Sequence, residues 1–127
     1  ADTMIYKDCK INFWDISGKK DYREYWKNYF HSSDGFIYVV DMSSLKRIEE
    51  SKVALKNLIL SDPENSSMPM LIYANKSDIA EKEYKAEEIY KLLELQKSEF
   101  NFVQVCSAKK ISGLQEGFDW LFNKVKM

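Results

Sequence analysis

The chain has 127 residues, 45% hydrophobic and 14% aromatic, with four glycines and two prolines, which suits one folded domain and excludes a disordered or collagen-like chain. Its 19 basic and 20 acidic side chains are interspersed and leave a formal net charge of −1. There is no basic run, and Arg23 and Arg47 are the only arginines, so the sequence lacks the electrostatic footprint of a nucleic-acid binder.

In chain order, Thr3–Tyr6 is a short apolar run, followed by Lys7-Asp8 and a second run, Lys10–Asp15. The pair reads as an antiparallel hairpin at a sheet edge. Cys9 and Cys106 are each embedded in apolar, strand-like sequence, away from any Cys-x-x-Cys or Cys/His cluster. They read as two buried free thiols, not zinc ligands. His31, the only histidine, closes a helical stretch beside Ser32-Ser33 and reads as a solvated helix-end cation.

Phe36–Asp41 and Met70–Asn75 are continuous apolar runs, the pattern of parallel strands covered on both faces. Between them, Ser43-Ser44 can cap a helix over about Leu45–Leu60, with Ile48, Leu55, Leu58 and Ile59 on its apolar side; Asp62-Pro63 stops it. A second helix is predicted over about Lys85–Leu95, with Ile89, Leu92 and Leu93 facing inward. A fourth main strand, Phe102–Ser107, precedes a helix over about Leu114–Val125, where Leu114, Phe118, Leu121, Phe122 and Val125 form one stripe. Strands alternating with helices predict a doubly wound α/β domain with a mostly parallel sheet. No apolar stretch approaches the roughly 20 residues that span a bilayer. Nor is there a signal peptide or a Met-Gly start, so a cytoplasmic protein is expected.

In open α/β sheets, ligands bind outside the carboxyl ends of the strands. The residues there are Asp15, Asp41, Asn75-Lys76-Ser77-Asp78 and Ser107-Ala108-Lys109. Asn75-Lys76-x-Asp78, set directly after a buried strand, is a guanine-reading motif. A carboxylate at Asp78 accepts from both the ring N1–H and the exocyclic amine of guanine, a paired donor edge that adenine lacks; each charge-assisted bond is worth about 1.5–3 kcal/mol. Asn75 would orient the loop, the Lys76 stem would lie against the ring, and the Ala108 N–H would donate to guanine O6, flanked by Ser107 and Lys109. Asp15-Ile16-Ser17-Gly18 fits the Asp-x-x-Gly element of a nucleotide-hydrolysing switch, with Asp15 holding Mg²⁺ through water and the Gly18 N–H sensing the terminal phosphate. Asp41, just before Ser43-Ser44, reads as a cap for the following helix.

With these elements in this order, the chain resembles the Arf and Arf-like branch of small GTPases over essentially its whole length. Trp14-Asp15-Ile16-Ser17-Gly18 looks like the branch's Trp-Asp-x-Gly-Gly element. Arg23, Trp26, Tyr29 and Phe30 match its switch helix, Phe36–Asp41 its next strand, and Gly113-Leu114-Gln115-Glu116-Gly117-Phe118-Asp119-Trp120-Leu121 its last helix. Ser17 and the Gly113–Gly117 run look most like the branch member associated with cilia. The resemblance implies a G-domain that cycles between GDP and GTP with Mg²⁺ and recruits effectors or coats to membranes. It also implies exchange and activating factors as partners and peripheral membrane association. Trp14 and Tyr29 then belong to an aromatic effector-facing cluster, or simply to the core.

The chain departs from the family in two respects. It contains no Gly-x-x-x-x-Gly-Lys-Ser/Thr; at Gly18-Lys19, Phe13 stands where the earlier glycine belongs and Lys20 where the hydroxyl belongs. The P-loop, the switch threonine, the first central strand and the amphipathic membrane helix are therefore expected upstream. Residues 1–127 are then expected to be a truncated domain that binds nucleotide weakly by itself, with a strand-swapped dimer as one way to complete the sheet. Second, Lys19 occupies the position of the family's water-orienting glutamine. An ammonium has donors and no acceptor, so unaided hydrolysis is expected to be slow. A non-cycling interaction module that keeps the guanine loop is the alternative reading.

Overall fold

Alternating sequence around a two-residue connection produces the first element pair. In the computed structural model, which describes residues 2–7, 9–13, 33–61, 67–80, 82–107, 109–110 and 113–126, β1 (Asp2–Tyr6) runs antiparallel to β2 (Cys9–Phe13), with Tyr6 opposite Cys9 and Asp2 opposite Phe13. Lys7 takes a φ of 48°, the left-handed conformation that so tight a connection demands. This hairpin belongs to one of two units, Ala1–Ser32; the second is Ser33–Met127. Cys9 is half-buried here, a correction to the expectation of two buried thiols: a two-stranded ribbon covers its side chains less fully than a sheet packed with helices.

The second unit is built on a parallel sheet of β3 (Phe36–Asp41), β4 (Met70–Asn75) and β5 (Asn101–Val105), in that order. Phe36 pairs with Met70 and Asp41 with Asn75, so the first two strands end level. Parallel neighbours need crossovers. These are helix α1 (Leu45–Ser61) between β3 and β4 and α2 (Ala86–Leu92) between β4 and β5. Helix α3 (Leu114–Lys126) follows β5. The bounds of β3, β4 and α1 match expectation closely, and Ser44 caps α1, its Oγ accepting from the Arg47 N–H at 3.3 Å.

The helices lie on both faces of the sheet, as a doubly wound fold requires. Helix α1 packs on β3, and the Tyr38 hydroxyl donates to the Ser51 carbonyl at 2.9 Å; α2 packs on β5 and on α1. Val40, Ile72, Ala74 and Val103 are buried on this side with Ile48, Leu55, Leu58, Ile89 and Leu93 of the helices. Helix α3 packs on β4 and β5 from the other side, where Phe102 stacks on Trp120 at 5.3 Å. Gly117 allows this approach, because a Cβ there would stand 2.9 Å from the Tyr73 ring and 3.0 Å from Leu71.

Three expectations need correction. β4 is covered on both faces, but β3 is not: Ile37 and Val39 are 38% and 57% exposed. They share the sheet face of Leu71 and Tyr73, over which α3 packs chiefly on β4 and β5. A continuous apolar run does not reveal where the covering helix will lie. Second, α2 ends at Leu92, short of the expected Leu95. Glu94 turns left-handed (φ 52°), and the Leu95 N–H donates to the Tyr90 carbonyl at 3.0 Å, a Schellman-type stop without glycine. Leu93 is still buried, and the Glu94 carboxylate accepts from Lys52 at 2.9 Å and Lys56 at 3.3 Å on α1. Third, Val125, assigned to the inward stripe of α3, is 39% exposed at the helix end.

Candidate functional site

The carboxyl ends of β3, β4 and β5 bring the candidate residues together. Beyond the regular strands the ladder continues for one step on each side: Met42 N–H donates to the Asn75 carbonyl, and Cys106 N–H to the Ala74 carbonyl, both at 2.9 Å. Asn75, Cys106 and Asp41 are thereby fixed by backbone pairing before any side chain contributes. Past Asn75 the chain turns sharply. Lys76 adopts φ 66° and ψ 32°, and a 3₁₀ turn over Ser77–Ile79 is closed by the Ile79 N–H on the Lys76 carbonyl at 3.1 Å. This turn brings Asp78 back towards the end of β5.

Ser107, only 1% exposed, ties the two loops. Its hydroxyl donates to Asp78 Oδ1 at 2.9 Å and accepts from the Lys110 N–H at 3.2 Å. Among the described residues no hydrogen bond engages Asp78 Oδ2, which leaves acceptor capacity for a ligand. Asn75, Lys76, Asp78, Ile79, Ser107 and Lys109 line a cleft of about 190 Å³. That is smaller than the roughly 300–1,000 Å³ of drug-sized ligand sites and suits a flat heterocycle.

Two further residues adjoin this cleft. Cys106 is buried, with its Sγ 4.0 Å from Asn75 Oδ1; burial pushes its thiol up to about 11, so it stays protonated and unreactive. Asp41 does more than the sequence indicates. Its Oδ1 accepts from the Ser43 N–H at 2.9 Å, just ahead of the Ser44 cap, and its Oδ2 accepts from Lys76 Nζ at 3.0 Å. Partial burial raises the Asp41 carboxyl, but hydrogen bonds from Ser43 and Lys76 outweigh that and hold it below the ordinary carboxylate value. The expectation that Asp41 caps α1 is thus corrected: Ser44 is the cap, and Asp41 braces the residue before it while pairing across the sheet. What could have pointed to this is its place at a strand end beside the strand that delivers Lys76.

The other candidates, Trp14, Asp15, Ser17, Gly18, Lys19, Tyr29, His31 and Ala108, lie outside the described residues. Ser107 and Lys109, on either side of Ala108, both line the cleft. Among the described residues no group of three or more His, Cys, Asp or Glu side chains is placed to hold a metal ion. No helix among them is long and apolar enough to cross a membrane.

A carboxylate-bearing cleft at the carboxyl edge of an α/β sheet stands where open α/β domains bind their ligands. Comparison with known proteins makes this specific. Residues 1–125 match the model of the ADP-ribosylation factor family. ADP-ribosylation factor-like protein 2 of Arabidopsis thaliana is 41% identical over 126 residues, covering 97% of this chain and 67% of the relative. The protein of the same name in Dictyostelium discoideum is 38% identical over 125 residues, again 97% and 67%. ADP-ribosylation factor-like protein 3 of Chlamydomonas reinhardtii is 39% identical over 118 residues, covering 91% and 66%. The chain belongs to the ADP-ribosylation factor family of small GTPases, and it spans about two-thirds of the length of these relatives.

Proposed function

We propose that the cleft at the ends of β4 and β5 is a guanine subsite and that the protein is a guanine-nucleotide-dependent switch of the Arf-like type. The single observation that carries this reading is the Asp78 carboxylate, oriented through Oδ1 by buried Ser107 inside a base-sized cleft. Asp78 accepts from the two donors of the guanine edge, the Ala108 N–H donates to O6, the Lys76 stem covers the ring face, and Asn75 and Lys109 complete the walls. The acceptor at Asp78 fits guanine and not adenine, because a fixed acceptor opposite adenine would meet no paired donors.

Residues outside the described set would take the remaining roles: Asp15 would hold Mg²⁺, an ion that would neutralise phosphate charge, and the Gly18 N–H would report the terminal phosphate. Trp14 and Tyr29 face effectors or coats, and exchange and activating factors are the other partners. Ser17 and the Gly113–Gly117 run, which look most like ADP-ribosylation-factor-like protein 6, support a place in ciliary membrane traffic. Lys19 favours a second reading, a non-cycling module that binds guanine nucleotide and partners without hydrolysis, because an ammonium has no acceptor for the attacking water.

Titration of the purified chain with guanine, adenine and flavin nucleotides tests the assignment: weak binding that favours the guanine nucleotide is expected, and a preference for flavin or adenine nucleotide would overturn it. Single-turnover hydrolysis separates the two readings. Measurable unaided turnover that survives Lys19→Ala rules out the non-cycling module.

A further inference from the structure

We infer that Asp41 is a positioning residue for base recognition: it pins the Lys76 ammonium at the rim of the cleft, so that the lysine stem forms a fixed wall. This inference rests on the guanine-subsite reading and deepens it. Both ends of the Lys76 side chain are held. Its backbone is fixed in the left-handed conformation at the start of the Ser77–Ile79 turn, and its Nζ stands 3.0 Å from Asp41 Oδ2. A lysine stem is otherwise a flexible chain with many rotamers, and a flexible wall recognises a flat ring poorly.

The carboxylate is itself oriented. Oδ1 is occupied by the Ser43 N–H at 2.9 Å, which directs Oδ2 to the lysine. The side chains of Asp41 and Lys76 are 29% and 49% exposed, so the pair sits at the rim, where water competes but the geometry is kept by the parallel register of Asp41 with Asn75. The pairing also solves a local conflict of charge. Asp78, two residues beyond Lys76, must keep its carboxylate for the base. An ammonium already neutralised by Asp41 does not compete for it. Asp41 therefore acts on the ligand only through Lys76.

A double-mutant cycle on the full 127-residue chain, with guanosine titrated by NMR chemical shift, tests this. Asp41→Asn keeps an oxygen acceptor for the Ser43 N–H but removes the charge that holds Lys76. It is expected to weaken guanosine binding about three- to tenfold, as is Lys76→Ala. In the Lys76→Ala background, Asp41→Asn is expected to cause no further loss, a result that a purely structural role would not produce. Undiminished binding by Asp41→Asn, or losses that multiply in the double variant, would overturn the inference. If Asp41→Asn does not fold, Lys76→Met, which keeps an apolar stem without an ammonium, replaces it: a loss of the same size supports the tie and unchanged binding overturns it. Failure of the unaltered chain and of every variant to bind guanosine is a different outcome; it removes the guanine subsite, and the inference with it.

Discussion

Replacing Gly113 with alanine probes the join between β5 and α3, directly behind the candidate site. Gly113 has a φ of +75°, where a side chain costs about 1–2 kcal/mol. A Cβ at this position would stand 2.3 Å from the Val105 carbonyl oxygen and 3.2 Å from both Cα and Cβ of Cys106. The nearest of these is backbone, so relief requires the end of β5 to move, and such overpacking adds about 1–3 kcal/mol. Together these give a loss of roughly 2–5 kcal/mol, a large share of the ~5–15 kcal/mol that holds a domain of this kind together. Urea unfolding with an unchanged m-value is the assay, and the corresponding fall in Tm is roughly 8–20 °C. Because Cys106 leads directly into Ser107, the amide resonances of Ser107 and Asp78 are expected to shift as well. Gly117→Ala is the control. Its closest neighbours are side-chain atoms of Tyr73 and Leu71, at 2.9 and 3.0 Å, farther away than the Val105 carbonyl is from Gly113 and not backbone. Alanine also gains about 1 kcal/mol over glycine within a helix, so the net loss is smaller. A loss below about 1 kcal/mol for Gly113→Ala would refute the reasoning.

Three further outcomes follow from the same geometry. Ser107→Ala removes a hydrogen bond donated to a carboxylate and is expected to cost about 1.5–3 kcal/mol by urea denaturation, with a matching loss of guanosine affinity; full stability would mean that the bond to Asp78 is not formed. Asp78→Asn is expected to lower guanosine affinity at least about tenfold while improving xanthosine binding, since an amide can donate where guanine carries its amine; equal guanosine affinity in both proteins would exclude Asp78 from the base edge. Burial, above all, raises the Tyr73 phenol to about 12, and its hydroxyl donates to the Leu114 carbonyl at 2.6 Å. Its folded value exceeds the ordinary 10.0, so this contribution to stability is complete below pH 10 and is lost as pH rises towards 12. Tyr73→Phe is expected to flatten the stability profile across that window; an unchanged profile counts against it.

Much of the fold is legible because burial and propensity agree over short spans. The runs Phe36–Asp41 and Met70–Asn75 coincide with β3 and β4, and Ser44 before Leu45 marks the start of α1. What could not be read depends on partners distant in the chain. Ile37 and Val39 carry the same apolar character as Leu71, yet they are exposed because α3 packs chiefly on β4 and β5. The early stop of α2 is likewise hidden. Glu94 is a good helix former, and only its bonds to Lys52 and Lys56, 42 and 38 residues away, show what accompanies its left-handed turn.

The candidate site divides along the same line. Asn75-Lys76-x-Asp78 and Ser107-Ala108-Lys109 are local motifs, and each was visible because its residues sit together at a strand end. Their convergence is not local; it follows from the parallel register that sets Asp41 against Asn75 and leaves Cys106 bonded to Ala74. In a pleated sheet, a slip of one residue between β3 and β4 would turn Asp41 to the opposite face and part it from Lys76. The same slip would bury Ile37 and Val39 and expose Val40, which is 0% exposed. Core packing against α1 therefore selects the one register in which the Asp41 carboxylate can meet Lys76. That is how a contact spanning 35 residues came to lie in a chain whose sequence shows only two separate strand ends.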